Sequence, residues 1–495
     1  MSQATIPPEV STRSGRVRGV WRDGSAAFLG IPFAEPPVGA LRFAAPVPHR
    51  PWEDVRDATA YGATPQRTPM AEVTAIPEPS IPGASTLNVN VFTPAPGDAA
   101  ARLPVLVYIH GGGFVAGSPA SPWYDGAAFN HDGIVTVSVS YRLGFDGFGW
   151  IEDAPANRAV LDWLLALEWV RDNIAAFGGD PSDVTIAGQS AGGGAVLTLL
   201  GVPRAQPLFR RVLSISGATA DLSLADSEAL GRRLAALAGV EPTRAGLSVL
   251  DEDTVLALQA KALAPDEASA DPLAGLGQLV TTGMGWGPVI DGDLVPFRAV
   301  DAVRAGIGAD KPLVLGATDH EFNAVLHGYR TALAAVPAAG ILGAFGVPGA
   351  TIDAYVRAHA GADTVDVVGQ YVTDTLFRTP AIDIALARVT SGASTWLYRF
   401  AWRSPVSGTA SHCLDVPFWF DGLGLEAVAA LAGEHPPQSL ADDAHGAAVA
   451  FIRTGDPGWT PFDATARTAR VFDAPSTEAT DAYADAAVLL HAPVA

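Results

Sequence analysis

The sequence predicts an α/β fold with a large, mostly parallel central sheet and helices on both faces. Three short runs rich in valine and isoleucine, at residues 105–109, 134–140 and 184–187, have the length and composition of buried strands. A helical segment, 158–174, lies between the last two. Continuous apolar strands that alternate with helices are typical of a parallel sheet covered on both sides.

Other segments extend this prediction along the chain. The first hundred residues are rich in proline and turns and contain short strand-like pieces such as residues 16–20. Residues 220–280 are rich in alanine and are predicted to be helical, with an exposed loop near residues 265–272. Two later apolar runs, at 313–315 and 395–400, are predicted to be further strands.

The longest uncharged stretch lies between Arg330 and Asp353. Prolines and glycines interrupt it, which favours short helices, buried or forming a lid, over a membrane span. No internal repeat and no long charged linker divides the sequence. We therefore expect a single domain over residues 1–495, with a helical elaboration over the sheet.

The composition argues against several kinds of partner. The chain has 495 residues, of which 48% are hydrophobic, and a formal net charge of −21. This acidic balance argues against nucleic acid, which requires clustered basic residues, and against anionic membranes. Cys413 is the only cysteine, so no intrachain disulfide can form. Because the first residues also lack the pattern of a signal peptide, we expect a cytoplasmic location.

A Gly-x-Ser-x-Gly pattern follows the predicted strand at 184–187. Its central residue is Ser190, between Gly188 and Gly192. A serine on a sharp turn between a strand and a helix has an exposed hydroxyl, which suits a nucleophile. The alternative interpretation is a glycine-rich turn with an idle serine.

A second motif, His110-Gly111-Gly112-Gly113-Phe114, follows the predicted strand at 105–109. Consecutive glycines let backbone N–H groups approach whatever lies above the sheet, where they can stabilise a developing oxyanion. A flexible loop is the alternative. The two motifs in this order, each at the end of an apolar strand, favour the functional interpretation.

A serine nucleophile needs a base and an acid that orients it, and in such sheets they follow in the order serine, acid, histidine. Asp319 and Glu321 both follow the predicted strand at 313–315, and either could serve, although solvated loop charges are the common alternative. His412 lies between a loop of small residues and an aromatic run, where its side chain is well placed to be held rigidly. This position favours His412 as the base. It is one of six histidines after Glu321, the others being His327, His359, His435, His445 and His491.

Several motifs in one order make the sequence similar to the type B carboxylesterases, α/β-hydrolases that include para-nitrobenzyl esterases and cholinesterases. Beside the serine motif, the resemblance rests on FLGIPFAEPPVGALRF at 28–43, LNVNV at 87–91, FGGDP at 177–181 and PVIDG at 288–292. It covers almost the whole chain. It implies the α/β-hydrolase fold.

The resemblance also implies roles for single residues. Ser190 matches the nucleophile, His412 the base, and Glu321 the acid, with Asp319 in reserve. The three oxyanion-hole donors match Gly112, Gly113 and Ala191. The mechanism needs no metal and no organic cofactor.

The sequence departs from the family pattern at four positions. Gln189 replaces the glutamate usual before the serine, and Asp415 replaces a glutamate three residues after the histidine. These changes put the family's pH behaviour in question. Cys413 occupies a position where the family favours a small residue, and Thr86 one where secreted members carry a disulfide cysteine.

We therefore expect a bacterial serine carboxylesterase that hydrolyses small esters with short to medium acyl chains, as a monomer or weak homo-oligomer. The alternatives are a lipase, an amidase or a carbamate hydrolase with the same residues, or a non-catalytic binding member of the fold. The uncharged stretch 331–351 and several aromatic side chains are candidates for the substrate cavity, although for any one of them a place in the core is favoured. Those aromatic candidates are Phe114, Trp123, Phe148, Trp286, Phe377 and Trp419.

Overall fold

The computed structural model describes residues 6–69, 75–264 and 272–490. Within these ranges, the strands form one large sheet and two small ones. In chain order the strands are β1 (Glu9–Ser11), β2 (Arg16–Arg18), β3 (Val20–Arg22), β4 (Ser25–Pro32), β5 (Arg56–Asp57), β6 (Asn88–Thr93), β7 (Leu103–Ile109), β8 (Val135–Val139), β9 (Gly179–Gln189), β10 (Arg211–Ile215), β11 (Leu222–Ser223), β12 (Val289–Ile290), β13 (Leu313–Thr318), β14 (Thr395–Phe400), β15 (Ala469–Phe472) and β16 (Thr477–Ala479).

The large sheet has the strand order β16-β15-β14-β13-β10-β9-β7-β8-β6-β4-β3. The neighbouring strands from β15 to β8 are parallel, and antiparallel strands extend the sheet at both ends. The apolar runs predicted as buried strands lie in β7, β8, β9, β13 and β14. The predicted, mostly parallel sheet is therefore confirmed.

Helices follow most of the parallel strands, because the crossover connection between two parallel strands usually contains a helix. A π-helical turn, Asp374–Arg378, connects two of them. In chain order the helices are α1 (Ala127–His131), α2 (Gly144–Phe148), α3 (Arg158–Asn173), α4 (Ala191–Gly201), α5 (Leu224–Ala238), α6 (Arg244–Leu247), α7 (Glu252–Leu263), α8 (Pro272–Thr282), α9 (Ala299–Arg304), α10 (Arg330–Leu333), α11 (Ala338–Ala344), α12 (Gly349–Ala358), α13 (Thr364–Thr373), α14 (Thr379–Val389), α15 (Val416–Trp419), α16 (Val428–Ala432) and α17 (Gln438–Thr454).

Successive side chains of the central strands enter two different cores, because strand side chains alternate between faces. Val105 and Val107 of β7 pack in one core with α3, α4 and α14. Leu106 and Tyr108 of the same strand pack in the other core with α15 and α17. Both faces of the sheet are therefore covered by helices, as predicted.

A third apolar cluster joins α11, α12 and α13, with side chains of α8 packed against it. This cluster is the predicted helical elaboration. The uncharged stretch after Arg330 forms short helices, and no helix in the described residues is long and apolar enough to cross a membrane. The predicted loop near residues 265–272 falls largely outside the described residues. The single-domain organisation stays a prediction.

Candidate active site

Ser190 lies on the sharp turn between β9 and α4. Its backbone has φ +58° and ψ −124°, a conformation that L-residues rarely adopt. The flanking glycines are required by close approach, since a Cβ on Gly192 would lie 2.0 Å from the carbonyl oxygen of Ile109. The Ser190 N–H donates to the Ile215 carbonyl at 2.9 Å, which ties the turn to the end of β10. The local structure is that of the predicted nucleophile turn.

The structure brings the three predicted side chains together. His412 lies on the loop between β14 and α15, and its Nε2 is 2.9 Å from Ser190 Oγ. Its Nδ1 forms a short hydrogen bond with a carboxylate oxygen of Glu321. The other Glu321 oxygen accepts from the Thr318 N–H at 2.8 Å, so this buried carboxylate is fixed at the end of β13.

The choice between the two acids has a structural answer. Asp319 forms an ion pair with Arg399 on β14, with Oδ2 at 2.8 Å from Nη2. Glu321 is the acid in contact with the His412 ring. Asp319 therefore connects two neighbouring strands, whereas Glu321 is hydrogen-bonded to the imidazole.

Neighbouring charges and burial shift two pKa values at the site. Burial by itself lowers the pKa of His412, but Cys413 and Glu321 outweigh it and raise that pKa well above its ordinary value of 6.5. Burial raises the pKa of Asp415 to about 7, and repulsion from Glu321 adds to the rise. Asp415 accepts hydrogen bonds from Tyr398 Oη at 3.3 Å and Trp419 Nε1 at 3.2 Å.

The predicted oxyanion donors lie close to Ser190. Gly112 and Gly113 line the same cavity as the serine hydroxyl. Gly112 has φ +116°, and a Cβ there would lie 2.2 Å from the Ala116 carbonyl oxygen, so only glycine fits. Ala191 is the first residue of α4, where backbone N–H groups have no partner within the helix.

Ser190 and His412 open into a cavity of about 350 Å³, within the range of about 300–1,000 Å³ typical of small-molecule sites. Of the six aromatic candidates, Phe377 lines it, with its ring centroid 5.0 Å from that of His412. The other five (Phe114, Trp123, Phe148, Trp286 and Trp419) do not line this cavity and are buried in the cores, because large rings fill the space between sheet and helices. The stretch 331–351 does not line it either.

Sequence reasoning missed several residues of this cavity. The ring centroid of Phe322 is 5.2 Å from that of His412, and Phe322 is not part of a recognised motif. Its position directly after Glu321 is the signal that could have found it. Tyr124, Leu279 and Leu376 also line the cavity, each from a different element.

Gln189 contacts His412. Its Nε2 is 3.2 Å from His412 Nε2 and 3.3 Å from Cys413 Sγ, and its side chain is buried. The amide that replaces the family's glutamate therefore lies against the imidazole, with no charge of its own.

The sequence profile of the carboxylesterase family matches residues 6–338. Para-nitrobenzyl esterase of Bacillus subtilis is 32% identical over 492 aligned residues, which cover 94% of this chain and 95% of that protein. The chain belongs to the carboxylesterase family. Pig liver carboxylesterase is 34% identical over 82% of this chain and 77% of its own length.

Solved carboxylesterases have the same fold. A carboxylesterase of Geobacillus stearothermophilus, at pH 6.2, superposes with a TM-score of 0.83 and 32% identity, covering 97% of this chain and 99% of that one. A para-nitrobenzyl esterase structure gives a TM-score of 0.84 at 29% identity, over 98% and 99% of the two chains. The predicted α/β-hydrolase fold is confirmed. This carboxylesterase is an enzyme that hydrolyses carboxylic esters.

Proposed function

We propose that this carboxylesterase hydrolyses esters of short to medium acyl chains through Ser190, His412 and Glu321, with an acyl-enzyme intermediate. The observation that carries the proposal is the unbroken series of contacts from Ser190 Oγ through the imidazole to the buried Glu321 carboxylate. Each hydrogen bond in this series has a role in acyl transfer.

In the first step, Ser190 Oγ attacks the ester carbonyl carbon while His412 Nε2 takes the hydroxyl proton. The Glu321 carboxylate accepts the Nδ1–H and stabilises the imidazolium that forms. The backbone N–H groups of Gly112, Gly113 and Ala191 stabilise the oxyanion. His412 then donates its proton to the departing alkoxide, which leaves as the alcohol.

In the second step, His412 takes a proton from water, and the resulting hydroxide attacks the acyl carbon. Collapse of the second oxyanion returns the proton to Ser190 Oγ and releases the carboxylic acid. The cavity lining supports small, apolar esters, since Leu279, Met284, Phe322 and Leu376 line it. Glu78, which forms an ion pair with Arg67 at 3.5 Å, is a carboxylate in the same lining.

The direct test compares hydrolysis of p-nitrophenyl acetate and p-nitrophenyl butyrate by the native protein and by Ser190→Ala. We expect the variant to lose almost all turnover and to resist labelling by a fluorophosphonate probe. Equal turnover in both proteins would refute the mechanism. An ester series with matched amides and carbamates tests the alternative leaving groups.

The pH dependence tests the base. Neutral His412 is the active form, and its pKa lies above the ordinary value of 6.5. We therefore expect kcat/KM to rise with pH through neutrality and to level off on the alkaline side. A profile that is flat across neutrality would contradict the role of His412. The cytoplasmic location and the monomeric or weakly oligomeric state remain predictions.

A further inference from the structure

A second cavity, of about 310 Å³, lies beside the substrate cavity. Side chains from α8, α9, α14 and the segment between α11 and α12 line it, together with Leu489 and Leu490. The lining is mixed. It includes apolar side chains such as Val280, Val300 and Val347, and also the charged side chains of Asp221, Arg298 and Asp383. The uncharged stretch after Arg330, which does not reach the substrate cavity, contributes to this second cavity instead.

A thin wall separates the two cavities, because three separate segments border both of them. Thr219 lines both cavities. On α8, Leu279 faces the substrate cavity and the next residue, Val280, faces the second one. On the π-helical turn, Leu376 faces the substrate cavity and Thr375 the second. The wall is therefore a single residue thick at Thr219 and a single helical segment thick at the other two places.

The substrate side of this wall is apolar. Leu376, Met284 and Phe322 pack against Phe377 and Ala218, directly beside the His412 ring. The wall also includes a π-helical turn, a local departure from regular helix that recurs at functional sites. A hydrocarbon chain held by Ser190 would meet this wall from one side, and the apolar side chains of Val280, Val300 and Val347 lie in the cavity beyond it.

We propose that this wall sets the chain-length limit of the enzyme, and that the second cavity holds the distal methylene groups of a longer hydrocarbon chain once the wall is opened. The inference rests on the proposed ester hydrolysis at Ser190. In the native protein, the wall confines the chain to the first cavity and excludes long substrates. Each further methylene that becomes buried can raise kcat/KM by up to about fourfold.

Truncation of the wall tests this proposal. The substrates are p-nitrophenyl esters with acetyl, butyryl, hexanoyl, octanoyl, decanoyl and lauroyl chains, and a second series of acetate esters with alcohols of the same lengths. We expect Leu376→Ala to raise the ratio of kcat/KM for the decanoyl over the butyryl ester by about tenfold or more. If kcat/KM increases only for the acetate esters of long alcohols, the wall limits the length of the alcohol and not of the acyl chain. That result also supports the wall as the element that limits chain length.

Ile76→Ala is the matched control, because Ile76 lines the same cavity away from the wall. It removes a similar volume without opening the second cavity, and we expect the chain-length ratio to stay within about twofold of the native value. Val280→Ala thins the wall from its other side and should act in the same direction as Leu376→Ala. Thermal melts of each variant verify folding.

Refilling the second cavity completes the test. Val300 lines that cavity from α9 and does not line the first. Val300→Phe in the Leu376→Ala background should therefore reverse the gain for long chains. An unchanged ratio in folded Leu376→Ala and Val280→Ala proteins, or an equal gain in Ile76→Ala, would overturn the inference. Hydrolysis of short esters that depends on Ser190 would still leave the proposed function standing, whereas its absence in the native protein would refute that function.

Discussion

The substrate cavity has two halves that are built differently. In one half, Ser190, Glu321 and His412 follow the ends of β9, β13 and β14, and hydrogen bonds fix each side chain. In the other half, α8 and the π-helical turn supply apolar side chains such as Leu279 and Leu376, and Leu376 packs against an apolar cluster with Phe377. In the proposed function, the sheet-borne half determines which bond is broken. In the further inference, the helical half limits the size of the molecule that reaches it.

The largest expected effect separates the two acids of the sheet-borne half. Glu321→Gln keeps the shape of the side chain but removes the charge that orients and stabilises the imidazolium. We expect kcat to fall by about 10⁴, as in triads whose acid is replaced by its amide. Steady-state kinetics with p-nitrophenyl butyrate measure the loss.

Asp319→Asn is the matched control for this prediction. It removes a carboxylate two residues away that binds Arg399 and not His412. We expect a lower melting temperature, because removal of one partner of a partly buried ion pair is destabilising, with kcat reduced by less than about tenfold. Equal losses of kcat in the two variants would contradict the separate roles of the two acids.

The next effect concerns the glycine loop after β7. Gly112→Ala places a Cβ 2.2 Å from the Ala116 carbonyl oxygen and so forces the loop to move. Displacement of one oxyanion donor lowers kcat by about 10²–10³. We expect that loss with KM changed little. Gly424→Ala is the control, because a Cβ there meets nothing within 4 Å. Native kcat in a folded Gly112→Ala protein would exclude a role of this loop in the transition state.

The same contrast explains what the sequence could predict. The nucleophile turn and the glycine loop are each formed by contiguous residues, and their backbone geometry requires glycine at positions such as Gly192 and Gly112. Both motifs can therefore be predicted from a single sequence. From the residues alone, however, Asp319 and Glu321 were equivalent. Only the side-chain directions after β13 distinguish them, and the family resemblance supplied the choice.

The helical half has no comparable signal. The side chains of the wall come from three segments that are far apart in the sequence, and Leu279 or Leu376 is an ordinary apolar residue of its helix. Five of the six aromatic candidates belong to the cores, since ring size predicts burial and not a place in a cavity. The full length of β9 was also missed, because its first five residues, Gly179 to Asp183, contain a proline and two aspartates, and only Gly179 among them pairs with β7.

A third prediction concerns Asp415, buried behind the triad. Its pKa of about 7 lies above the ordinary value of 3.8, so the folded protein keeps a proton that the unfolded chain releases. The free energy of unfolding therefore decreases as pH rises between these two values, and the effect is complete above about pH 8. Asp415→Asn removes this penalty.

We expect the stability of Asp415→Asn relative to the native protein to increase by about 2 kcal/mol between about pH 5 and pH 7. Urea denaturation at several pH values measures the difference. Asp421→Asn, an exposed carboxylate of the same region, is the control and should show no such trend. A constant difference across this pH range would mean that Asp415 does not titrate there.

The smallest expected effect tests how the uncharged Gln189 tunes the sheet-borne half. Its amide lies 3.2 Å from His412 Nε2, where a carboxylate would stabilise the imidazolium. Gln189→Glu should raise the pKa of His412 further and move the acid limb of kcat/KM to higher pH by about one unit.

Gln189→Met is the control, because it fills similar space without a charge. It should leave that limb in place, although loss of the amide hydrogen bonds is expected to lower kcat. If both variants shift the limb equally, shape and not charge controls the base. A shift in Gln189→Glu alone would mean that the neutral amide keeps His412 less basic than a carboxylate would, so that more of the enzyme holds its base unprotonated at a given pH.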